Sequence, residues 1–328
     1  MRILLLLSAL ILGAQSAFSQ SDAEQNTPYG HGQYLETSRG KIYYETEGSG
    51  TPVFIINGGP GAGHRVFLGW FEFLKTKGYQ IVYFDDIGRG RSERNIKGKF
   101  IPQMTVDDME ALRAHLNAKK IVVMGHSYGG IPAMQYAIQY PEHVERLVML
   151  SASYDAQSQQ MNIDHVSHLM KTKYPEIHEQ VMALRAKGML SSEDEYLDLI
   201  YESALGRELQ WFNRENRKGL WKYRSNDQRD RFNFQVYLDI IGEDPEWEIT
   251  GTLKGLTVED KLQGFNIPTL ILGGRADKVS TPELVYRLYK MLPEQTTKFE
   301  MFEKSGHWIW AEENEKFEQI VSTFLPAK

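Results

Sequence analysis

Gly125-His126-Ser127-Tyr128-Gly129-Gly130-Ile131 is the stretch that decides the fold of this 328-residue chain. An apolar, β-branched run at residues 121–124 precedes it, and residues 132–138 follow it with helical periodicity. The pattern Gly-x-Ser-x-Gly between a strand and a helix is typical of a nucleophile elbow, a sharp turn that exposes the serine hydroxyl. The alternative is an ordinary turn with an incidental serine. Glycines on both sides of Ser127 favour the elbow, because a side chain there would collide with the neighbouring strand or helix.

Strand-like and helix-like segments alternate along the rest of the chain, which predicts a mostly parallel sheet covered by helices, the α/β class. Residues 268–273 and 297–302 continue the alternation, whereas residues 152–262 have helical periodicity and no pattern of a buried strand. We therefore predict a core over residues 20–151 and 263–328, interrupted by a helical cap over residues 152–262. The other predicted elements are strands at residues 41–45, 53–57, 80–84 and 146–150 and helices at residues 105–117, with Thr105 as the cap, 177–187, 193–205, 232–241, 282–292 and 314–325.

Residues 1–19 predict an export signal. Arg2 gives a positive start, residues 3–12 form an apolar run, and Ala17-Phe18-Ser19 has small residues at the two positions that a signal peptidase reads. The apolar run is shorter than the about 20 residues that a membrane span requires, so an uncleaved anchor is the weaker alternative. We expect cleavage before Gln20 and a periplasmic or secreted mature protein with no stable insertion in a membrane.

Composition excludes several classes of function. The chain has no cysteine, which excludes a disulfide framework, a thiolate nucleophile and a cysteine metal site. Its formal net charge is −6 and no basic stripe is present, so nucleic acid is not an expected partner. Asp164, His165 and His168 only loosely resemble metal-ligand spacing, and a solvated helix face explains them better. We expect no metal and no cofactor.

A serine nucleophile needs a base to take its proton and a third group to orient that base. In an α/β-hydrolase the order along the chain is serine, acid, histidine. Asp277 follows the predicted strand at residues 268–273, and His307 follows the predicted strand at residues 297–302. The three side chains then lie at the carboxyl ends of parallel strands, where open α/β sheets place their sites. Ser127, Asp277 and His307 are the predicted nucleophile, acid and base.

Each partner of the serine also has an alternative interpretation. Asp277 would cap the helix that follows it, as loop aspartates often do. Asp155, just after the predicted strand at residues 146–150, is a rival acid that we rank below Asp277. His307 would be an ordinary loop histidine, although its Gly-His-Trp setting between a strand and the last helix argues against this. His126 precedes the nucleophile and is expected to pack rather than to act as a base.

A glycine-rich turn, Gly58-Gly59-Pro60-Gly61-Ala62-Gly63, follows the predicted strand at residues 53–57. It is not a phosphate-binding loop, because no Gly-Lys-Ser/Thr follows it. In a hydrolase of this class the turn supplies one backbone N–H to the oxyanion hole, and the residue after the nucleophile, here Tyr128, supplies the other. Glycine lets the backbone approach a substrate closely.

Together these motifs resemble the proline iminopeptidase branch of the α/β-hydrolases, which includes the tricorn-interacting aminopeptidase. The resemblance rests on the glycine-rich turn, on Asp85-Asp86-Ile87-Gly88-Arg89-Gly90-Arg91-Ser92 after the third predicted strand, on the elbow and on the predicted acid and base, and it covers residues 34–325. It implies an α/β-hydrolase fold with flanking helices and an inserted cap, no cofactor, and Gly59 and Tyr128 as the oxyanion donors. One departure is Asn57, where the family usually has histidine.

The same resemblance implies how a substrate is held. Acidic side chains in the cap of that family bind the free α-amino group of a peptide, so that one residue is released from the N-terminus. A buried ammonium requires an ionised partner, because its desolvation costs several kcal/mol. Glu246, in the stretch at residues 244–253, is the best match, with Glu208 and Glu215 as candidates for a second carboxylate. For Glu208 and Glu215 a solvated helix face is the stronger alternative.

The predicted function is an exported serine aminopeptidase of the proline iminopeptidase type, which acts through an acyl-enzyme on a small peptide or small-molecule acyl substrate. An esterase or a carbon–carbon bond hydrolase with the same triad remains an alternative, because fold and triad do not set the substrate. A binding protein that lost catalysis is a further alternative, against which the intact triad and glycine motifs argue. Ser127 excludes epoxide hydrolase and dehalogenase chemistry, which needs an aspartate at the elbow.

Overall fold

Within residues 29–223 and 225–328, which the computed structural model describes, the core is an eight-stranded sheet. Its strands are β1 (Gln33–Thr37), β2 (Gly40–Gly48), β3 (Thr51–Ile56), β4 (Tyr79–Asp85), β5 (Ile121–His126), β6 (Val144–Leu150), β7 (Thr269–Gly274) and β8 (Thr297–Phe302). They lie in the order β1-β2-β4-β3-β5-β6-β7-β8. The pairs β1–β2 and β2–β4 are antiparallel, and every other neighbouring pair is parallel. This is the mostly parallel sheet that the sequence predicts.

The α-helices follow the strands in chain order. They are α1 (Pro102–His115), α2 (Gly130–Gln139), α3 (Ala156–Lys173), α4 (Pro175–Ala186), α5 (Asp194–Tyr201), α6 (Ala204–Glu208), α7 (Arg217–Leu220), α8 (Phe234–Ile240), α9 (Pro282–Met291), α10 (Ile309–Glu312) and α11 (Asn314–Phe324). Among the described residues between β6 and β7, every element is helical. The exact division into core and cap remains a prediction.

Side chains of the central strands alternate between two hydrophobic clusters, one on each face of the sheet. Phe54 of β3 lies in the cluster that includes Met134 of α2. Its neighbour Ile55 lies in the cluster that includes Trp310 of α10 and Phe317 of α11. All five side chains are fully buried, and burial of one large apolar side chain stabilises a fold by about 1.5–3 kcal/mol. Alternate side chains of the strands therefore form the core on the two faces of the sheet. The ends of the strands are not needed for this core and can carry the site.

Two predicted helices differ from the observed ones by more than two residues at one end or by an interruption. The helix predicted at residues 105–117 begins at Pro102, since proline is favoured in a first helical turn. The prediction that Thr105 caps it is wrong: Thr105 lies within α1, and its hydroxyl donates to the carboxylate of Asp86. The helix predicted at residues 193–205 is divided, because Ser203 interrupts it and caps α6 through Gly206 N–H. Strand β1 and helices α7 and α10 were not predicted, and no bounds were predicted for helix α3.

The predicted export signal, residues 1–19, lies outside the described residues. In the part of the chain that the structure describes, no helix combines the length and the apolar character that a membrane span requires.

Candidate active site

Ser127 lies in a sharp turn between β5 and α2, as the sequence predicts. Its φ is +55°, a left-handed conformation that is uncommon for a residue with a side chain. A Cβ at Gly125 would lie 2.6 Å from the carbonyl oxygen of Gly129. A Cβ at Gly129 would lie 2.5 Å from the carbonyl oxygen of Ile56. Close approach of the backbone therefore requires glycine at both positions, and the strained turn holds the half-buried Ser127 ahead of α2.

Asp277 and His307 lie in the loops that follow β7 and β8. Asp277 Oδ2 accepts a hydrogen bond from His307 Nδ1 at 2.8 Å, and both side chains are buried. The other carboxylate oxygen, Oδ1, accepts from the backbone N–H groups of Val279 at 2.8 Å and Ser280 at 2.9 Å. Because an ionised carboxylate only accepts, Nδ1 of the neutral ring carries the proton. Nε2 then keeps the lone pair that a general base uses.

His126 joins the turn at Ser127 to the loop of His307. Its Nε2 donates to the carbonyl oxygen of His307 at 3.2 Å, and the two ring centres are 4.6 Å apart. Burial, together with the nearby imidazole of His307, holds the pKa of His126 well below its ordinary value, so the ring is neutral. The sequence predicts that His126 packs, and it does pack against Trp308 and Trp310. In addition it fixes the backbone of the predicted base.

The structure does not support the alternative interpretations of the acid, in which Asp155 is the acid or Asp277 is a helix cap. Asp155 caps α3: its carboxylate accepts from Ser158 N–H at 2.7 Å, and Ser158 Oγ accepts from the N–H of Asp155 at 2.9 Å. Helix α9 is capped by Thr281, whose Oγ1 accepts from Leu284 N–H at 3.3 Å. Asp277 is thus not needed as the cap of α9 and is engaged with the imidazole.

The glycine-rich turn lies directly against Ser127, the predicted nucleophile. A Cβ on Gly58 would lie 2.9 Å from the Cβ of Ser127. Gly59 has a φ of +44°, a conformation that glycine adopts without strain. On its other side a Cβ of Gly59 would lie 3.5 Å from Cε2 of Phe232, a residue of the segment before α8. The turn therefore lies between Ser127 and the predicted cap, which is consistent with the expected place of an oxyanion donor.

Tyr128, the other expected oxyanion donor, packs against a buried ion pair. The guanidinium carbon of Arg89 lies 5.9 Å from the centre of the Tyr128 ring. Arg89 pairs with Asp86, which also accepts a hydrogen bond from Thr105, and all these side chains are buried. Burial raises the pKa of Asp86 above its ordinary value, and Arg89 opposes that rise. This ion pair therefore supports the ring of Tyr128, the residue directly after Ser127.

A second buried cluster of charges holds the end of the glycine-rich turn. His64 follows Gly63, and its backbone N–H and Nδ1 donate to Asp85 Oδ1 at 2.8 and 2.9 Å. Its Nε2 lies 3.4 Å from Glu45 Oε1. Burial alone would lower the pKa of His64, but the two carboxylates raise it to about 9. Burial alone would raise the pKa of Glu45, but protonated His64 and further hydrogen bonds lower it to about 2. This cluster could not be predicted from the sequence, because its members have no local motif in common.

Glu246 lies in the predicted cap with its carboxylate held by two tyrosines. Tyr201 and Tyr237 both donate to Oε1, at 2.7 and 3.2 Å. Burial and the neighbouring carboxylate raise the pKa of both phenols well above the ordinary value, so both remain donors. Burial also raises the pKa of Glu246, which the two hydrogen bonds oppose. Because the ring centres of Tyr237 and Phe232 are 5.9 Å apart, this group adjoins the residue that contacts the glycine-rich turn.

Glu208 and Glu215 both pair with lysines. Glu208 Oε2 accepts from Lys173 Nζ at 2.7 Å, and Lys278 Nζ is 3.7 Å from Glu208 Oε1. Burial opposes the effect, but Lys173 lowers the pKa of Glu208. Glu215 is exposed and pairs with Lys218. Within the described residues neither carboxylate shares a hydrogen-bond partner with Glu246, and Glu215 lies on a solvated face.

The chain belongs to the α/β-hydrolase fold family, whose sequence profile matches residues 51–313. It is 25% identical over 306 residues to the proline iminopeptidase of Heyndrickxia coagulans, which covers 89% of this chain and 97% of that protein. It is 26% identical over 313 residues to the proline iminopeptidase of Clostridioides difficile strain 630, and this alignment covers 90% of this chain and 97% of that protein. The crystal structure of the proline iminopeptidase of Mycobacterium smegmatis has a TM-score of 0.71 at 19% identity, over 90% of this chain and 97% of that chain, and therefore shares the fold.

These comparisons confirm the predicted fold class and the resemblance to the proline iminopeptidase branch, and they identify a hydrolase. Among the described residues, no group of three or more His, Asp or Glu is placed to hold a metal ion. Asp164, His165 and His168 accordingly form no such group.

Proposed function

We propose that this hydrolase is a serine aminopeptidase of the proline iminopeptidase type. Ser127 Oγ attacks the carbonyl carbon of the first peptide bond while His307 Nε2 takes its proton, and the N–H groups of Gly59 and Tyr128 stabilise the oxyanion. The tetrahedral intermediate collapses to an acyl-enzyme as His307 gives the proton to the leaving amine. Water then attacks the acyl ester with the same base, which releases the N-terminal residue and restores the serine. Asp277 holds the imidazole throughout.

The observation that carries this proposal is the carboxylate of Glu246 inside the cap. Its hydrogen-bond donors in the described residues, Tyr201 and Tyr237, are neutral. Because burial raises its pKa, an incoming ammonium would favour the ionised form and would be held more strongly than at an exposed carboxylate. An ester substrate without an amine would leave such a group without a function. Glu208 and Glu215 already have lysine partners, so the proposal rests on Glu246.

Substitution Glu246→Gln tests the proposal with aminoacyl-naphthylamides of proline and alanine, each with a free or an acetylated amine. The wild-type protein is expected to hydrolyse only the free amines. Because the variant loses the partner of a buried ammonium, its kcat/KM for free amines should fall by about 100-fold. Its turnover of p-nitrophenyl acetate should change little. The matched control is Glu248→Gln, since Glu248 is exposed and lies 3.5 Å from Lys254; it should behave as wild type.

Other outcomes select the alternatives. Turnover of esters alone, unchanged in Glu246→Gln, would contradict the aminopeptidase and support an esterase or a carbon–carbon bond hydrolase with the same triad. A protein inert toward amides, esters and a fluorophosphonate probe would support a binding protein that kept the fold.

Export is a separate proposal, which rests on the sequence of residues 1–19 alone. Expression with the full N-terminus in a bacterium that has a periplasm, followed by N-terminal sequencing, tests it. Gln20 as the first residue is expected, and a retained Met1 in the cytoplasmic fraction would contradict export.

A further inference from the structure

The loops that carry the predicted acid and base are both bonded to one segment of the predicted cap. We call this segment, residues 209–213, the cap strap. It follows α6 and has no regular secondary structure. The backbone N–H of His307 donates to the carbonyl oxygen of Gln210 at 2.7 Å, and the N–H of Lys278 donates to that of Leu209 at 3.0 Å. Neighbouring residues of the strap therefore hold both catalytic loops.

The strap packs closely on the loop that follows β8 and carries His307. We call this loop the base loop. A Cβ at Gly306 would overlap the carbonyl oxygen of Gln210 and would lie 2.8 Å from the nitrogen of Trp211. On the other side of the base, Trp308 Nε1 donates to Gln210 Oε1 at 3.1 Å. The rings of Trp211 and Trp308 are stacked with their centres 6.1 Å apart. The residues on both sides of His307 thus contact the strap.

One carboxylate, that of Glu312 at the end of α10, binds both partners of this contact. Its Oε2 accepts from the N–H of Gly306 at 2.6 Å and from the N–H of Phe212 at 3.2 Å. Its Oε1 accepts from the N–H of Asn213 at 2.9 Å and from Nδ2 of Asn216 at 3.3 Å. A carboxylate has acceptor sites for four N–H donors, whereas an amide of the same size would turn its own hydrogens toward two of them.

We propose that Glu312 is a positioning residue for catalysis, which keeps the cap strap against the base loop so that the cap completes the triad. The backbone of His307 is bonded to the strap through its N–H and to His126 through its carbonyl oxygen, and its Nδ1 is bonded to Asp277. The position of Nε2 therefore depends on all three contacts. A misplacement of 1 Å at a reacting group can lower a rate by about 100-fold. The inference rests on the proposed triad but not on the identity of the substrate.

The neighbouring Glu313 provides a matched control. Its Oε2 accepts from Lys304 N–H and from Ser305 Oγ, both at 2.8 Å, so it holds the same loop. Its carboxylate has no hydrogen bond to the strap among the described residues. Glu313→Gln weakens contacts within the base loop only, whereas Glu312→Gln also weakens the contact between that loop and the cap strap. Comparison of the two variants therefore separates these two effects.

The experiment measures kcat and KM for p-nitrophenyl acetate, the rate of inactivation by a fluorophosphonate, and the melting temperature of each variant. In Glu312→Gln, kcat and the inactivation rate are expected to fall by about 10- to 100-fold, with KM changed by less than about threefold. The low-field proton resonance of His307 Nδ1 should shift or broaden. Glu313→Gln is expected to keep kcat and this resonance near the wild-type values, even where its melting temperature falls.

Gly306→Ala tests the same contact without a change in charge. Gly306 does not have a positive φ, so alanine suits its backbone, and the added methyl group would push the strap from the base loop. Its kcat is expected to fall as in Glu312→Gln, and it decides the question if Glu312→Gln does not fold. Normal kcat in the folded variants, or an effect on KM alone, would overturn the proposal. A wild-type protein that the fluorophosphonate does not label would instead count against the triad itself.

Discussion

At the scale of single residues, the two carboxylate oxygens of Asp277 have different partners, and these would fix which nitrogen of the predicted base carries the proton. Oδ1 accepts from the backbone N–H groups of Val279 and Ser280, and Oδ2 accepts from Nδ1 of His307. Since both oxygens act only as acceptors, the imidazole must present its proton on Nδ1 and its lone pair on Nε2. Asp155, by contrast, uses its carboxylate to cap α3.

Substitution Asp277→Asn is expected to lower kcat for p-nitrophenyl acetate by about 10⁴-fold while the protein stays folded. The amide oxygen would stay with the N–H groups of Val279 and Ser280, so the amide NH₂ would face Nδ1 of His307. That arrangement selects the tautomer with its proton on Nε2, which cannot accept a proton from Ser127. The melting temperature serves as the measure of folding.

The matched control for the acid is Asp155→Asn. Asparagine caps a helix nearly as well as aspartate, so this variant should keep the wild-type kcat and almost all of its stability. The assignment of the acid would have to be reversed if Asp155→Asn lost activity and Asp277→Asn kept it.

At the scale of elements, the imidazole of His64 joins three parts of the fold at the end of the glycine-rich turn. His64 begins the 3-10 helix His64–Phe67 that follows the turn, Glu45 lies on β2, and Asp85 ends β4. His64 bonds to Asp85 and approaches Glu45, and all three side chains are buried. Removing one partner of such a buried charge cluster is strongly destabilising, because it leaves a charge without compensation. Protonated His64 therefore ties the end of the glycine-rich turn to β2 and β4.

This cluster predicts a loss of stability at alkaline pH. The pKa of His64 is raised to about 9, above its ordinary value of about 6.5, so its protonation favours the folded state. Its contribution, on the order of a few kcal/mol, is complete below about pH 6.5 and is lost as the pH rises through 9. Glu45 has the opposite sign: its contribution is present above about pH 4.5 and is lost as the pH falls through 2.

Urea unfolding at intervals between pH 6.5 and pH 10 measures the effect, with His64→Gln as the reference. The free energy of unfolding of the wild type should fall more steeply over this range than that of the variant, since the other titrating groups are common to both. Parallel pH dependences would show that His64 is not protonated in the folded state.

At the scale of the whole molecule, the sequence predicted best what depends on local order. The elbow was predictable because its glycines and serine form one local pattern between a strand and a helix, although a Cβ at Gly129 would meet the backbone of Ile56 in the neighbouring strand β3. The placement of Asp277 and His307 after strands was predictable because the carboxyl ends of parallel strands meet at one edge. The cap of α1 was mispredicted, since Thr105 bonds instead to Asp86, a residue of another element.

Long-range partners could not be predicted from the sequence. Lys173 precedes Glu208 by 35 residues, so their ion pair has no helical spacing that would reveal it. The tyrosines that hold Glu246 come from two separate helices, α5 and α8. The donors to Glu312 include three backbone N–H groups, which every residue except proline carries and which therefore leave no signal in the sequence. The link between the cap and the base loop becomes visible only in three dimensions.

The most direct test of the account is to treat the purified protein with a fluorophosphonate and to locate the label by mass spectrometry. The proposed mechanism predicts a single label on Ser127, loss of hydrolysis in proportion to labelling, and a kcat roughly 10⁴- to 10⁶-fold lower in Ser127→Ala. A label on another residue, or near-normal turnover by Ser127→Ala, would contradict it.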